Sequence, residues 1–284
     1  MGRFGQGINH MLKKITVPLA IIGVILIINN IVGVFVNLRN PAIYTDPNNE
    51  FPHDITLTEA QFYQALDKVS GDQVQTLTQI NAIVNQGIAH NWHDYNIEKY
   101  HLRVPFYENY ILWGSSFIYP ALFEKYQFVD YHRAVERGVG LCSQEVFVET
   151  GILRERGIKA DIVGLDGHVV MTAPVDDAQK TWWIFDPDYG VVIPNNISQI
   201  EANPDLVRPY YAAAGYTTKK IDTLVSYYGG SGNKVTDGII GYSRFRYYYE
   251  YASYIMIWVI PLILIFPLGV ATAQRLFRKG NFAK

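Results

Sequence analysis

Two stretches of the chain hold apolar residues without a single charge. Ile15 to Val36 (ITVPLAIIGVILIINNIVGVFV) and Tyr251 to Ala273 (YASYIMIWVIPLILIFPLGVATA) are each long enough to cross a hydrocarbon core of ~30 Å as a helix. Between them the pattern changes to that of a folded domain. Thr58-Glu59-Ala60-Gln61 is a capping box that opens a helix to about Val69. Gly71-Asp72 opens a second helix to about Asn91, with Val74, Leu77, Ile80, Ile83 and Val84 at helical spacing. Cys142, Val146, Thr150 and Leu153 share one face of a third helix, which Gly157 closes at C′. Lys159 to Leu165 and His168 to Val175 are rich in β-branched residues and flank Asp166-Gly167, a two-residue hairpin turn. Thr181 to Phe185 reads as a third strand, stopped at Asp186-Pro187. Beyond Pro194, Ser198 to Ala214 and Thr217 to Tyr228 read as helices. The resulting division is a tail (1–14), a transmembrane helix (15–36), a Pro- and Asn-rich linker (37–54), a domain (55–228), a Gly-rich linker (229–250), a transmembrane helix (251–273) and a tail (274–284).

With 284 residues, 49% of them hydrophobic, and a formal charge of -2, the chain has room for one medium-sized domain besides its spans. Charges alternate in sign through the central region, so no nucleic-acid partner is expected. A single cysteine rules out an internal disulfide. No small-x-small cleavage site follows the first span, which reads as an uncleaved anchor. Arg3, Lys13 and Lys14 precede it, and Arg275, Arg278, Lys279 and Lys284 follow the second. This bias places both termini on the cytoplasmic side of the cytoplasmic (inner) membrane and the central domain in the periplasm or its extracytoplasmic equivalent. Arg39, Arg244 and Arg246 on the opposite flanks weaken the bias without cancelling it. Asn29 and Asn30 are expected to contact the other span, and the tyrosines from Tyr247 to Tyr254 to form an interfacial belt.

Cys142 follows two glycines, Gly138 and Gly140, at the start of its helix. The partial positive charge of a helix N-terminus favours thiolate over thiol, which is how a nucleophile is made. His168 opens one strand and Asp186 ends the next. On a helix packed against these strands, the thiol would meet an imidazole base oriented by a carboxylate. Asp166 and Asp188 compete with Asp186 for the orienting role. A lone cysteine is, by residue type alone, more often a small buried hydrophobe.

Gly140-Leu141-Cys142, Gly157-Ile158, His168 and Trp182-Trp183-Ile184-Phe185-Asp186-Pro187 together resemble the transglutaminase-like superfamily, over roughly Tyr126 to Pro194, about a quarter of the chain. The resemblance implies an α+β, papain-like core, a Cys-bearing helix on an antiparallel sheet, with Cys142 as nucleophile, His168 as base and Asp186 as orienter. Many members read His-Ala-Trp where this chain has His168-Val169-Val170, so the substrate class does not carry over. Upstream aromatics in the superfamily line the acyl pocket or donate to the oxyanion, a role open to Trp113 or Tyr131, with the backbone N–H of Cys142 as the first oxyanion donor. His90 and His93 read as a surface pair, and neither a metal site nor a cofactor is expected. The expectation is a membrane-anchored thiol enzyme acting through a thioester on a protein or peptide-like amide or ester, as a peptidase, amidase or acyltransferase. The alternative is a non-catalytic accessory subunit, held with other subunits in a membrane complex, for example one for envelope polysaccharide synthesis or export.

Overall fold

A computed structural model describes residues 2–51, 55–91, 93–176, 178 and 180–280, with the side chains of 2–14, 271 and 274–280 left aside. The basic tail residues Arg3, Lys13, Lys14, Arg275, Arg278, Lys279 and Lys284 therefore lie outside the described side chains. Helices run over α1 (Gly2–Val34), α2 (Glu59–Asp67), α3 (Gln73–Gly87), α4 (Phe106–Ile118), α5 (Pro120–Phe123), α6 (Tyr131–Arg137), α7 (Cys142–Glu155), α8 (Ile197–Ala202), α9 (Arg208–Ala213), α10 (Thr218–Tyr228), α11 (Gly238–Tyr242) and α12 (Arg244–Gly280). Strands are β1 (Ala89–His90), β2 (Val139–Gly140), β3 (Asp161–Gly164), β4 (Val169–Pro174), β5 (Trp182–Asp186), β6 (Val191–Ile193) and β7 (Lys234–Thr236). The chain divides into two compact units: 1–37 with 104–123 and 249–284, and 38–103 with 124–248.

Two helices are long and apolar enough to cross a membrane: Ile15–Val34 (20 residues), in the first unit, and Arg244–Val270 (27 residues), which belongs to it from residue 249 on. The polar residue inside α1 is used between helices: buried Asn30 donates from Nδ2 to the Ile257 carbonyl of α12 at 2.6 Å. Gly23 lets the same two helices approach closely, since a Cβ there would lie 2.7 Å from the Pro261 carbonyl oxygen. Gly33 does so for α4, because any side chain would collide with the Tyr107 carbonyl.

The second unit is built on an antiparallel five-stranded sheet of order β6-β5-β4-β3-β7. Asp166-Gly167 forms the predicted turn: Gly164 pairs with Val169, Leu165 N–H donates to the His168 carbonyl at 2.8 Å, and Gly167 has φ 104°. Every residue of β4 is buried. One sheet face carries Val163, Val170, Ile184 and Ile193 into a core closed by Tyr211, Leu224 and Tyr228 of α9 and α10. The central helix α7 packs on β4, with α3 and α6 also against it. Its capping devices follow the sequence: Gly157 sits at φ 72° and Ile158 N–H returns to the Leu153 carbonyl at 2.9 Å. Thr58 with Gln61 and Asp72 with Gln75 form reciprocal capping boxes on α2 and α3.

The helix expected to reach about Asn91 ends at Gly87, with β1 beyond it, and three further stretches differ from the expected pattern. Ser198 to Ala214 is not one helix, because Pro204 and Pro209 cannot donate in a helix interior and divide it into α8, a 3-10 turn and α9. The stretch 229–250, expected as a linker, supplies β7, which pairs with β3 (Ile162 opposite Thr236), and α11. Residues 104–123, expected inside the central domain, belong to the first unit.

Candidate active site

The turn before α7 is held rigidly. Gly138 caps α6 at φ 69°, where a side chain would also meet the Arg39 guanidinium. Arg137, fully buried, donates from Nε to the Val139 carbonyl (2.9 Å), from one terminal nitrogen to the Tyr126 carbonyl (2.7 Å) and from the other to Gln144 Oε1 (3.0 Å). Gln144 in turn bonds both the N–H and the carbonyl of Phe128, at 2.7 and 2.8 Å. A buried guanidinium with these acceptors is satisfied, and it locks β2 to the first turn of α7. Cys142 is the first residue of that helix and is half-buried.

His168 stands immediately before β4, 5% exposed, and Asp186 ends β5, fully buried. Imidazole Nε2 faces Asp186 Oδ2 at 2.9 Å. Tyr211 donates its hydroxyl to the same oxygen at 2.5 Å, and Tyr228 stands 3.1 Å behind it. Asp186 Oδ1 has no hydrogen-bond partner among the described residues. With Nε2–H given to Asp186, the other ring nitrogen is the one left to accept a proton. It lies 4.0 Å from Asp188 Oδ2, and Cys142 stands in the same group, its sulfur within 4.8 Å of these side chains' donor atoms. Burial alone would push the His168 pKa down, but the Asp186 charge and hydrogen bond, with the Cys142 contact, outweigh it and hold the imidazole well above its ordinary value. Tyr189 abuts the imidazole edge-on at 5.3 Å.

From the sequence, Asp188 is one of two acids that compete with Asp186 for the orienting role. The structure places Asp188 at the site as well, 1% exposed, with Oδ1 2.6 Å from His90 Nδ1. His90 is thus not half of a surface pair with His93, because β1 pairs with β2 and sets it opposite Gly140, two residues before Cys142. Burial would raise the Asp188 pKa; the charge and hydrogen bond of His90, the charge of His168 and a hydrogen bond from Glu145 hold it below the ordinary value. One turn further along α7, Glu149 is fully buried, its Oε2 accepting from Asn81 at 3.3 Å. Burial drives its pKa well up and the nearby Asp186 charge adds to the rise, against the Asn81 bond. Helical spacing around Cys142 offered only a hint of these acids, since Glu145 and Glu149 lie three and seven residues on. Their partners come from segments distant in sequence.

Tyr131 donates to Glu155 Oε2 at 2.5 Å, thirteen residues beyond Cys142 on α7 and so about 20 Å along the helix. Trp113 belongs to the first unit, where its ring lies edge-on to Phe106 and Phe117. The donor atoms of Cys142, His168 and Asp188 all lie within 4.8 Å of one another, so these three side chains could also hold a metal ion. The geometry is compatible with a thiol enzyme. No protein-family model, no curated protein and no solved structure matches the chain.

Proposed function

We propose that the chain is a membrane-anchored, extracytoplasmic thiol enzyme of transglutaminase-like type, acting on an amide or ester through a thioester acyl-enzyme. The observation that carries this reading is His168, held at Nε2 by Asp186 (2.9 Å), with one ligand-type atom each of Cys142, His168 and Asp188 within 4.8 Å of one another. In the reaction His168 takes the Cys142 proton and the sulfur adds to the carbonyl carbon. The backbone N–H of Cys142 receives the developing oxyanion. His168 then returns the proton to the leaving amine or alcohol as the C–N or C–O bond breaks, which leaves a thioester. Water or an amine, deprotonated by the same imidazole, attacks the thioester and releases the sulfur. Asp186 fixes the ring orientation and stabilises the imidazolium, while Tyr211 orients Asp186.

The test uses the detergent-solubilised full chain and its Cys142→Ala and His168→Gln variants, with iodoacetamide and a panel of acyl esters. The reading requires a Cys142-linked acyl adduct in intact-mass spectra, absent from Cys142→Ala and strongly slowed in His168→Gln. Equal adduct formation in wild type and His168→Gln would remove the thiol chemistry and leave the accessory-subunit reading, which Cys142→Ala would then satisfy by full complementation in the host.

A further inference from the structure

The segment from Phe106 to Phe123 carries one charge, Glu108, in eighteen residues. Its burial pattern is inverted relative to a helix in water. Glu108, Asn109, Ser115 and Ser116 are buried together with Leu112, whereas Phe106 (40%), Phe117 (56%), Ile118 (86%) and Tyr119 (57%) are exposed. The inward polar groups are satisfied within the unit. Asn109, extended at φ -157°, caps the helix that follows by accepting from the N–H groups of Ile111 and Leu112 at 3.1 Å, and donates to Ser253 at 2.9 Å. Glu108 accepts from Tyr254 at 2.6 Å, and Ser115 pairs with Tyr249 at 2.6 Å. Tyr110 donates to the Ile257 carbonyl at 3.0 Å. A helix that turns hydroxyls and a carboxylate inward and Phe and Ile outward, with Trp113 half-buried beside them, is sorted for an apolar solvent.

The two spanning helices show the same inversion. α1 buries Ala20 and Asn30 and exposes Ile21, Ile25 and Ile28, and α12 buries Glu250 and Ser253 and exposes Ile255, Leu262 and Phe266. α4 meets α1 at the last turns of its apolar stretch: Asn29 donates to the Phe106 carbonyl at 3.2 Å, and Gly33 abuts Tyr107. α4 is broken at Asn109, and its longer helical run (110–118) reaches only about 14 Å, short of the ~30 Å needed to cross. We infer that α4 is a third membrane-contacting element, an in-plane helix whose outward face of Phe106, Trp113, Phe117 and Ile118 is covered by lipid acyl chains at one interface. Continuity with the lipid-sorted faces of α1 and α12 selects lipid over a protein partner, and it accounts for an aromatic cluster that the proposed thiol chemistry does not use.

The experiment places single nitroxides on the full chain in phosphatidylcholine vesicles, in a Cys142→Ser background that removes the native thiol. Labels go on Trp113→Cys, Phe117→Cys and Ile118→Cys, with Leu262→Cys on α12 as the lipid reference and Tyr95→Cys, 65% exposed in the other unit, as the aqueous one. The α4 labels should group with Leu262: accessible to oxygen, shielded from a water-soluble nickel chelate, with an oxygen-to-nickel ratio severalfold above Tyr95. Nickel access like that of Tyr95 overturns the inference. So does shelter from both reagents, which would mean a protein covers the face. Three label sites keep the result readable if one variant misfolds.

Discussion

In the unit built from α1, α4 and α12, the buried set includes Asn30, Glu108, Asn109, Glu250 and Ser253, while isoleucines, leucines and phenylalanines face outward. In the sheet unit the interior is Val163, Val170, Ile184, Ile193 and their neighbours, and most charges lie at the surface. The same observation, a buried polar side chain, therefore means different things in the two. Where the solvent is apolar, inward polar groups are the ordinary way to satisfy hydrogen bonds. Where the solvent is water, burying His168, Asp186, Asp188, Glu145 and Glu149 in one cluster is costly and calls for a local reason. The thiol beside them supplies one.

Substitutions can sharpen this contrast. If the cluster serves Cys142, His168→Gln should slow iodoacetamide capture of Cys142 by about 10²–10⁴-fold with little change in elution volume, the range typical of a lost general base. Stopped-flow alkylation measures it, and an unchanged rate would reduce the cluster to a structural feature. Asp186→Asn leaves the buried imidazole without its counter-charge and should cost about 3–5 kcal/mol in chemical denaturation.

In the unit of the two long apolar helices the largest loss should come from close packing, not charge. Gly33→Leu drives a side chain into the Tyr107 carbonyl and should destabilise by about 1–3 kcal/mol, read as a lower unfolding temperature in detergent, with the alkylation rate of Cys142 unchanged. The smallest effect is expected for Glu149→Gln. Burial raises the Glu149 pKa, so below the ordinary 4.5, where the carboxyl is protonated in the folded and unfolded chain alike, the amide should change stability by less than about 1 kcal/mol. Its signature is in pH dependence. A folded pKa raised above the ordinary 4.5 contributes stability that is complete below that value and is lost as pH rises through the folded value, so Glu149→Gln should flatten the alkaline limb of a thermal melt series. His168, raised above 6.5, adds to that limb with the same sign, and Asp186→Asn should reduce its share. Asp188 has the opposite sign: lowered below 3.8, its contribution is present above that value and lost on acidification through the folded one.

Local signals were legible residue by residue. The caps at Thr58, Asp72 and Gly157, the turn at Asp166-Gly167 and the strand stop at Pro187 all concern neighbours a few positions apart, and each took the predicted form. The placements of His168 and Asp186 followed from them, because a two-residue hairpin sets the register of two strands. His90 and Asp188 were misread because 98 positions separate them, and nothing in either local pattern distinguishes a buried pair from a solvated one.

What the chain determines by itself is periodicity, capping, turn chemistry and the two uncharged runs, since each depends on short-range sterics or on the free energy of moving one segment out of water. Only the tertiary structure decided which of several acids stands beside the imidazole, which face of each helix turns inward and how β7 completes the sheet. Those outcomes depend on contacts between segments far apart in sequence, whose proximity is set by the packing of the whole unit.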